Sequence, residues 1–146
     1  MSTHTPGGIW ENGEITWGVY RSVSADYYEG SFSKGRRHGW GTRRYPDGRV
    51  YTGSWKNGLF DGKGEMTYPD GRSYIGDFVE DKRQGHGRYQ YSDGRKYVGG
   101  WSDGMFHGEG EYTYPDGRKY TGSFELDSRQ GYGECIYPDG RVYRSE

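Results

Sequence analysis

The sequence lacks the material for a thick hydrophobic core, because only 29% of its residues are hydrophobic and most of these are aromatic. Its single cysteine, Cys135, excludes an internal disulfide and gives no sign of an oxidising compartment. The formal net charge of −1 argues against a dedicated nucleic-acid binder, which normally carries a basic surplus. No signal peptide, apolar membrane-spanning run or lipidation motif stands out, so we expect a cytoplasmic protein.

Glycine and aromatic residues are abundant instead, and they stand at fixed positions. The pattern Tyr-x-Gly-x-(Trp/Phe) recurs with a period of 23 residues and gives five full units: 28–50, 51–73, 74–96, 97–119 and 120–142. A fixed period of this length predicts a repeat architecture. Equivalent units present a long repeated surface, whereas catalysis usually needs one irregular cleft, so we expect that the chain is not an enzyme.

Alternating residues inside each unit predict two β-strands. Numbered from its tyrosine, each unit carries Tyr, Gly and Trp or Phe at positions 1, 3 and 5, and Gly at positions 12 and 14. Such alternation is typical of strands, and no stretch shows helical periodicity. The first strands are predicted near 28–33, 51–56, 74–79, 97–102 and 120–125, and the second strands near 40–45, 63–68, 86–91, 109–114 and 132–137.

The segment that joins consecutive units carries a turn signal. It reads Tyr-Pro-Asp-Gly-Arg in four units and Tyr-Ser-Asp-Gly-Arg in the third, which predicts a type I turn closed by a left-handed glycine. The other connection, at positions 7–11, is expected to be a longer and variable loop. Glycines at positions 3, 12 and 14 leave bare backbone on which flat rings can lie. The predicted fold class is all-β, an elongated single-layer antiparallel β-meander of tandem 23-residue β-hairpin repeats.

Residues 1–27 and 143–146 flank the five full units. Trp17-Gly18 and Gly8-x-Trp10 imitate parts of a unit, so residues 1–27 are expected to be a degenerate repeat that caps the open sheet edge. Residues 143–146 are expected to be the start of a sixth repeat or a short edge strand. Because unpaired edges recruit other chains, a homodimer through this terminal strand is a further hypothesis.

The unit resembles the MORN repeat, named for membrane occupation and recognition nexus. One unit, YTGSWKNGLFDGKGEMTYPDGRS, follows that pattern of Tyr-x-Gly-x-Trp, a loop, Gly-x-Gly and Tyr-x-x-Gly almost throughout. The departures are Phe32, Phe78 and Phe124 in place of Trp, and Asp81 and Asp127 in place of the loop glycine.

The resemblance implies a β-hairpin array that serves as a protein-interaction scaffold or docking module, without a cofactor. Family members occur in axonemal, cytokinesis and cytoskeletal scaffolds, in membrane-junction proteins and in plant lipid kinases, so we expect association with the cytoskeleton, a cilium or a membrane. Phospholipid binding is often attributed to these repeats, which makes a peripheral membrane module the alternative function. We expect a protein partner such as an amphipathic helix or peptide, no nucleic acid, and weak or no direct membrane binding.

A second period of two units predicts a docking edge. Two units carry Trp at position 5 and an apolar pair in the long connection, whereas the other three carry Phe and basic residues there. An amphipathic helix could set its anchors on the apolar pairs. The alternative is that these side chains fold over the aromatic face and complete the core. The predicted partner-binding residues are Leu59, Phe60, Met105 and Phe106, with Trp55, Trp101 and Phe78 of the aromatic face.

A row of basic residues at the turns is the candidate for the membrane alternative: Arg72, Arg95, Lys96, Arg118 and Lys119. Each of these arginines follows an aspartate by two residues, so a locally neutralised, solvated turn is the competing interpretation. A glycan or choline reader is a third hypothesis, since cell-wall-binding repeats are also short, Gly-rich and aromatic. No metal site is expected, because the histidines show no ligand spacing.

Overall fold

The computed structural model describes residues 2–4 and 8–145, with the backbone alone for 2–4 and 145. None of these residues forms a helix that is long and apolar enough to cross a membrane. All the regular structure that they form is β-strand: β1 (Ser2–His4), β2 (Ile9–Glu11), β3 (Glu14–Ser22), β4 (Tyr27–Ser33), β5 (Arg36–Arg44), β6 (Val50–Lys56), β7 (Leu59–Thr67), β8 (Ser73–Val79), β9 (Lys82–Gln90), β10 (Lys96–Ser102), β11 (Met105–Thr113), β12 (Lys119–Glu125), β13 (Ser128–Ile136) and β14 (Val142–Ser145).

The 23-residue repeats are grouped into two larger compact units. The first unit consists of Met1–Pro69 with Phe78–Asp81, and the second unit consists of Asp70–Asp77 with Lys82–Glu146. In the first unit, β3 to β7 pair antiparallel in chain order, and β1 and β2 both pair with β3. In the second unit, β9 to β14 also pair antiparallel in chain order. Each unit is therefore a single-layer meander, and the predicted all-β repeat fold is confirmed.

The ends of the chain contain strands, but their predicted roles stay predictions. β2 and β3 form a hairpin within the predicted N-terminal cap, and β14 pairs with β13 where a sixth repeat or edge strand was predicted. Residues 1 and 5–7 of that cap, and residue 146, lie outside the described residues.

Glycines that face each other across strands leave room for the tyrosine rings. Gly53 of β6 pairs with Gly64 of β7, and a Cβ on Gly64 would overlap the ring of Tyr51. The same overlap would occur between Gly110 and Tyr97 in the second unit. The prediction that flat rings lie on bare backbone is thus confirmed for the position 14 glycines, because only glycine has no side chain at that point.

The Asp-Gly-Arg segments form the predicted turns. In the first of them the Gly48 N–H donates to the Tyr45 carbonyl at 3.0 Å, and the Tyr45 N–H donates to the Arg49 carbonyl at 2.9 Å. Gly48 has a φ of 98°, in the left-handed region that favours glycine. The Asp47 carboxylate accepts from the Arg49 N–H at 3.0 Å and so holds the turn. The same backbone bonds recur at 91–95, 114–118 and 137–141.

The connection at positions 7–11 is a tight turn, so the predicted long loop was wrong. β6 ends at Lys56 and β7 begins at Leu59, which leaves only Asn57 and Gly58 in the turn. Their φ values of 51° and 87° are typical of a type I′ turn. Asn-Gly is a strong signal for such a hairpin. The first strands match the prediction within one residue, whereas the second strands begin about four residues earlier than predicted.

The position 12 glycines serve a bulge and not the packing of a ring. Between β6 and β7 the register runs from Gly53 with Gly64 to Trp55 with Phe60, so β7 carries extra residues. Gly62 lies inside this irregular stretch with a φ of 100°. Bulges of this kind need a residue that tolerates left-handed backbone, which explains the glycine.

The core of each unit is aromatic, as predicted. Four position 1 tyrosines are fully buried: Tyr28, Tyr51, Tyr74 and Tyr97. Each of these hydroxyls donates to the carbonyl three residues later, at 2.7 or 2.8 Å, so the buried phenols are hydrogen-bonded. Burial also raises the pKa of Tyr97 to about 12, which keeps its phenol neutral.

Candidate functional site

Two of the residues predicted for docking complete the core instead of lining an edge. Phe60 stacks on Tyr51 with 4.0 Å between ring centroids, and Phe106 stacks on Tyr97 at 3.9 Å. Phe60 is 8% exposed and Phe106 is 7% exposed. Both rings therefore pack on the aromatic face, as the alternative interpretation of these side chains expects.

The other predicted partner-binding residues divide between buried and accessible positions. Trp55, Trp101 and Phe78 are buried core residues. Leu59 is 37% exposed, and Met105 is half-buried. Docking of a partner through Leu59 and Met105 stays a prediction, while the buried rings act through packing.

Position 10 of the 23-residue repeat is phenylalanine in two repeats and arginine in the other three. The Arg37 guanidinium carbon lies 5.1 Å from the Trp55 ring centroid, and that of Arg83 lies 5.0 Å from the Trp101 ring centroid. These are cation–π distances. Tryptophan therefore occupies position 5 of a repeat when the preceding 23-residue repeat supplies an arginine at position 10. This pairing explains why the sequence pattern alternates with a period of two repeats.

The two aspartates that replace a turn glycine have a partner in a neighbouring strand. The Asp81 carboxylate accepts from the Phe60 N–H at 2.7 Å, and the Asp127 carboxylate accepts from the Phe106 N–H at 2.8 Å. Their φ values of 72° and 67° are costly for a residue other than glycine. The hydrogen bond from the strand offsets that strain.

The second unit contains a cleft of about 530 Å³ that is walled by tyrosines. Tyr89, Tyr91, Tyr112 and Tyr114 form a continuous row, with successive ring centroids 4.7, 6.2 and 5.0 Å apart. The buried Trp101 also lines it. We call this surface the tyrosine cleft. Its volume lies in the range of ordinary ligand sites, ~300–1,000 Å³.

Turn arginines orient the tyrosine hydroxyl groups of this cleft. Arg95 Nη1 donates to the Tyr112 hydroxyl at 3.2 Å, and Arg72 Nη1 donates to the Tyr89 hydroxyl at 3.2 Å. Because the phenol oxygens accept from arginine, their own O–H groups remain donors. Burial, together with the nearby tyrosines, raises the pKa of Tyr91 to about 12. The cleft therefore offers apolar ring faces together with phenol O–H donors.

The tyrosine cleft was not predicted from the sequence, although a signal for it is present. Position 16 holds tyrosine in only two units, which are consecutive, as Tyr89 and Tyr112. With the tyrosine at position 18, each gives a Tyr-x-Tyr motif whose two rings share one face of the sheet. The other units carry Arg43, Met66 and Cys135 at that position.

The basic row that was predicted for phospholipid binding is paired within each turn. The pairs are Arg72–Asp70, Arg95–Asp93 and Arg118–Asp116, each at 2.8 Å. Hydrogen bonds from the arginine backbone and guanidinium N–H groups lower the pKa of these aspartates. Lys119 lies 3.8 Å from Glu111, and Lys96 is exposed. The three arginines therefore carry little uncompensated charge, as the competing interpretation of the row expects.

No cluster of three or more His, Cys, Asp or Glu side chains suited to a metal ion occurs within the described residues. His38 Nδ1 instead accepts from the Asn57 N–H at 3.2 Å, which ties a strand to a turn. Cys135 is half-buried and pairs across strands with Tyr120 and Tyr143.

Three features together define a class of β-hairpin repeat protein. The antiparallel hairpins have one length, the buried tyrosine rings lie on glycines, and Asp-Gly-Arg turns join the repeats. The model of the MORN repeat family matches residues 28–48, 51–71, 74–94, 97–117 and 120–140. The chain therefore belongs to the MORN repeat family, and the resemblance seen in the sequence is confirmed. No curated protein matches the chain at a significant level.

Two solved structures with a similar fold are domains of SAS-4 from Drosophila melanogaster. The TCP domain of SAS-4 (dCPAP), in complex with a proline-rich motif of Ana2 (dSTIL), has a TM-score of 0.60 at 16% identity over 94% of this chain and 75% of that chain. The TCP10c domain of Sas-4 has a TM-score of 0.55 at 14% identity over 100% of this chain and 98% of that chain. At these identities the likeness shows the fold alone.

Proposed function

We propose that the chain is a non-enzymatic docking module whose tyrosine cleft binds an extended, proline-rich segment of a protein partner. The observation that carries this proposal is the continuous row of rings from Tyr89 to Tyr114. Grooves lined by aromatic rings suit polyproline II segments, because ring faces pack on the proline rings and the segment is ordered before it binds.

The donors of the cleft suit the same ligand. Proline has no backbone N–H, so a proline-rich segment presents carbonyl acceptors with few donors. The tyrosine hydroxyl groups, held by Arg72 and Arg95, supply donors. The complex of the similarly folded dCPAP domain with a proline-rich motif supports the idea that such a sheet can hold this kind of ligand.

The cellular setting is part of the proposal. We propose a cytoplasmic scaffold tied to a cytoskeletal, axonemal or membrane-associated assembly, as membership of the MORN repeat family suggests. Self-association through β14 and direct binding to anionic phospholipids stay predictions. The pairing of the turn arginines with aspartates counts against the phospholipid alternative.

The test is a titration of the full chain with a capped oligoproline peptide, beside a capped Gly-Ser peptide of equal length. We expect saturable nuclear magnetic resonance shifts of the Trp101 indole, which lines the cleft, and no shift of the Trp55 indole in the first unit. The Gly-Ser peptide should shift neither indole.

Variants of the chain locate the binding. Tyr112→Ala and Tyr114→Ala should each weaken oligoproline binding about tenfold or more, ~1.4 kcal/mol. The matched control is Tyr143→Ala, since Tyr143 is 55% exposed and does not line the cleft. Amide spectra check that each variant is folded. Oligoproline affinity that is the same in folded Tyr112→Ala, Tyr114→Ala and wild type would contradict the proposal.

A further inference from the structure

The first unit holds another cleft, of about 360 Å³, which we call the arginine cleft. Three arginines, one carboxylate and several aromatic rings line it: Arg36, Arg37, Arg43, Asp26, Tyr20, Tyr28 and Phe32. The single carboxylate, Asp26, is already occupied, because Arg43 donates to its two oxygens from Nε at 3.0 Å and from Nη2 at 2.8 Å. Asp26 also attracts Arg37 electrostatically, but this one carboxylate is shared by three arginines, so the cleft keeps a surplus of positive charge.

Arg37 is the arginine that makes this surplus charge a site. Its half-buried guanidinium carbon lies 5.6 Å from the Tyr28 ring centroid and 5.1 Å from that of Trp55. Aromatic rings thus cover the flat face of the Arg37 guanidinium group. No described residue accepts a hydrogen bond from the N–H groups of that guanidinium. Burial and the nearby charge of Arg43 lower the pKa of Arg37 more than Asp26 raises it, so this half-buried positive charge is only partly compensated. Held donors without an acceptor favour an anionic ligand.

The turns of this chain show which partner an arginine seated on a ring takes. Arg49 lies 4.2 Å over the Tyr45 ring and pairs with the Asp47 carboxylate at 2.8 Å. The same arrangement of ring, guanidinium and carboxylate occurs at Arg95, Arg118 and Arg141. Arg37 has the rings of this arrangement and lacks the carboxylate.

We propose that the arginine cleft binds an acidic peptide segment, and that Arg37 receives the carboxylate of its Glu or Asp side chain. The free edge of the guanidinium matches the two carboxylate oxygens. Tyr20 and Phe32 line the same cleft and offer apolar contact to the methylene stem of the acidic side chain. Arg36 is exposed and adds long-range attraction for an acidic segment. This site shares no residue with the tyrosine cleft, so it does not rest on the proposed function above.

A single carboxylate fits the available charge better than a phosphate group does. Arg43 is committed to Asp26, which leaves one half-buried guanidinium in the cleft. A phosphate dianion there would keep part of its charge unpaired and desolvated, at a cost that a monoanion avoids.

The experiment titrates the full chain, labelled with nitrogen-15 on its arginine side chains, with a capped triglutamate peptide. A capped triglutamine peptide is the matched ligand without charge. We expect triglutamate to give saturable shifts of the Arg37 Nε–H and of the Trp55 indole beneath it, which shrink at high salt. Triglutamine should give no shift.

Three variants separate binding in the arginine cleft from a general attraction of the peptide to basic side chains. Arg37→Gln should weaken triglutamate binding at least tenfold. Arg49→Gln should leave it unchanged, because the Arg49 guanidinium already pairs with Asp47. Arg37→Lys keeps the charge but loses the planar fork, so we expect an intermediate affinity.

Two results would overturn the inference. One is triglutamate affinity in a folded Arg37→Gln variant that equals the affinity of the wild type. The other is a response of Arg37 to inorganic phosphate or to phosphatidylserine vesicles without any response to triglutamate. The oligoproline titration is read from the Trp101 indole, so its outcome is independent of the outcome of the triglutamate titration.

Discussion

At the scale of single residues, the position 1 tyrosine is the centre of packing in its unit. The Tyr51 ring centroid lies 5.1 Å from that of Trp55, 4.0 Å from that of Phe60 and 5.3 Å from that of Phe78. A single-layer sheet has no second layer to cover it, so these rings must cover one another. The free energy of folding is therefore concentrated in a few large aromatic contacts.

Removal of a buried tryptophan should be far more costly than removal of an exposed one. Trp101 is 4% exposed, and its Nε1 donates to the Gly87 carbonyl at 3.1 Å. Trp101→Ala should lower the free energy of unfolding by ~3–5 kcal/mol. The matched control is Trp40→Ala, since Trp40 is 59% exposed and should cost about 0.5 kcal/mol. Denaturant midpoints measure both, and similar losses for the two variants would refute the packing described here.

Alkaline pH should destabilise the fold through its buried tyrosines. The pKa of Tyr97 is raised from 10.0 to about 12 by burial. Below pH 10 the phenol is protonated in both folded and unfolded chains, so stability is unaffected. Between pH 10 and about 12 the unfolded chain loses the proton first, and stability falls.

Denaturant midpoints across this pH window, recorded with phenolate absorbance, measure that effect. A Tyr97→Phe variant should show a shallower fall than the wild type, because it lacks one titrating phenol. A wild-type midpoint that stays constant through the window would show that the tyrosines are not buried as described.

At the scale of strands and turns, hydrogen bonds from turn to neighbouring strand hold successive repeats together. The Gly58 N–H donates to the Arg37 carbonyl at 2.8 Å in the first unit, and the Gly104 N–H donates to the Arg83 carbonyl at 2.9 Å in the second. Where Asp81 replaces the glycine, its N–H donates to the Phe60 carbonyl at 2.9 Å and its carboxylate accepts from the Phe60 N–H. The residue at position 8 therefore controls both the turn and the contact between repeats.

Substitutions of Asp81 should separate backbone strain from hydrogen bonding. Asp81→Ala loses the bond to Phe60 and keeps the φ of 72°, so it should cost ~1–3 kcal/mol. Asp81→Gly loses the bond but relieves the strain, so it should cost clearly less. Thermal unfolding of the two variants decides this. A glycine variant that is the less stable of the two would contradict the account.

The periodicity of the sequence predicted the first strands and the Asp-Gly-Arg turns because both depend on local residues. Alternation fixes a strand, and Gly48 alone permits the turn conformation. The second strands were placed too late because the variable residues at positions 7–11 suggested a long loop, whereas the strand in fact begins at Leu59 and continues through a bulge at Gly62.

Prediction of the candidate sites from the sequence was harder, for a different reason. The apolar character of Phe60 and Phe106 fits a docking edge and a core equally well. Only the burial of their rings in the folded sheet decides between these two roles. The tyrosine cleft depends on rings from different strands, and spacing within one repeat does not reveal it.

At the scale of the whole chain, one kind of 23-residue repeat builds two clefts of different character. The tyrosine cleft of the second unit offers ring faces and hydroxyl donors, whereas the arginine cleft of the first unit offers positive charge. The same glycines and turns form the sheet around both clefts. The side chains at positions 10 and 16 of the repeat give the two clefts their different chemical character. Two unlike clefts on one scaffold are consistent with the docking function proposed above.

Membrane binding through the turn row should be weak. The arginines of that row pair with aspartates at 2.8 Å, so few free charges face an anionic surface. We expect less than about a tenfold gain in co-sedimentation with phosphatidylserine vesicles over neutral vesicles at physiological salt. An Asp93→Asn/Asp116→Asn variant, which frees two arginines, should bind more strongly than the wild type. Strong, salt-sensitive binding by the wild type would favour the membrane alternative.

The position of a bound peptide tests the central claim most directly. Intermolecular nuclear Overhauser contacts between a capped oligoproline peptide and the isotope-labelled chain identify which rings touch the proline side chains. The account predicts contacts to Tyr91, Tyr112 and Tyr114 of the tyrosine cleft. Contacts only to exposed side chains on the other face of the same unit, such as Ile75 and Val98, would contradict it.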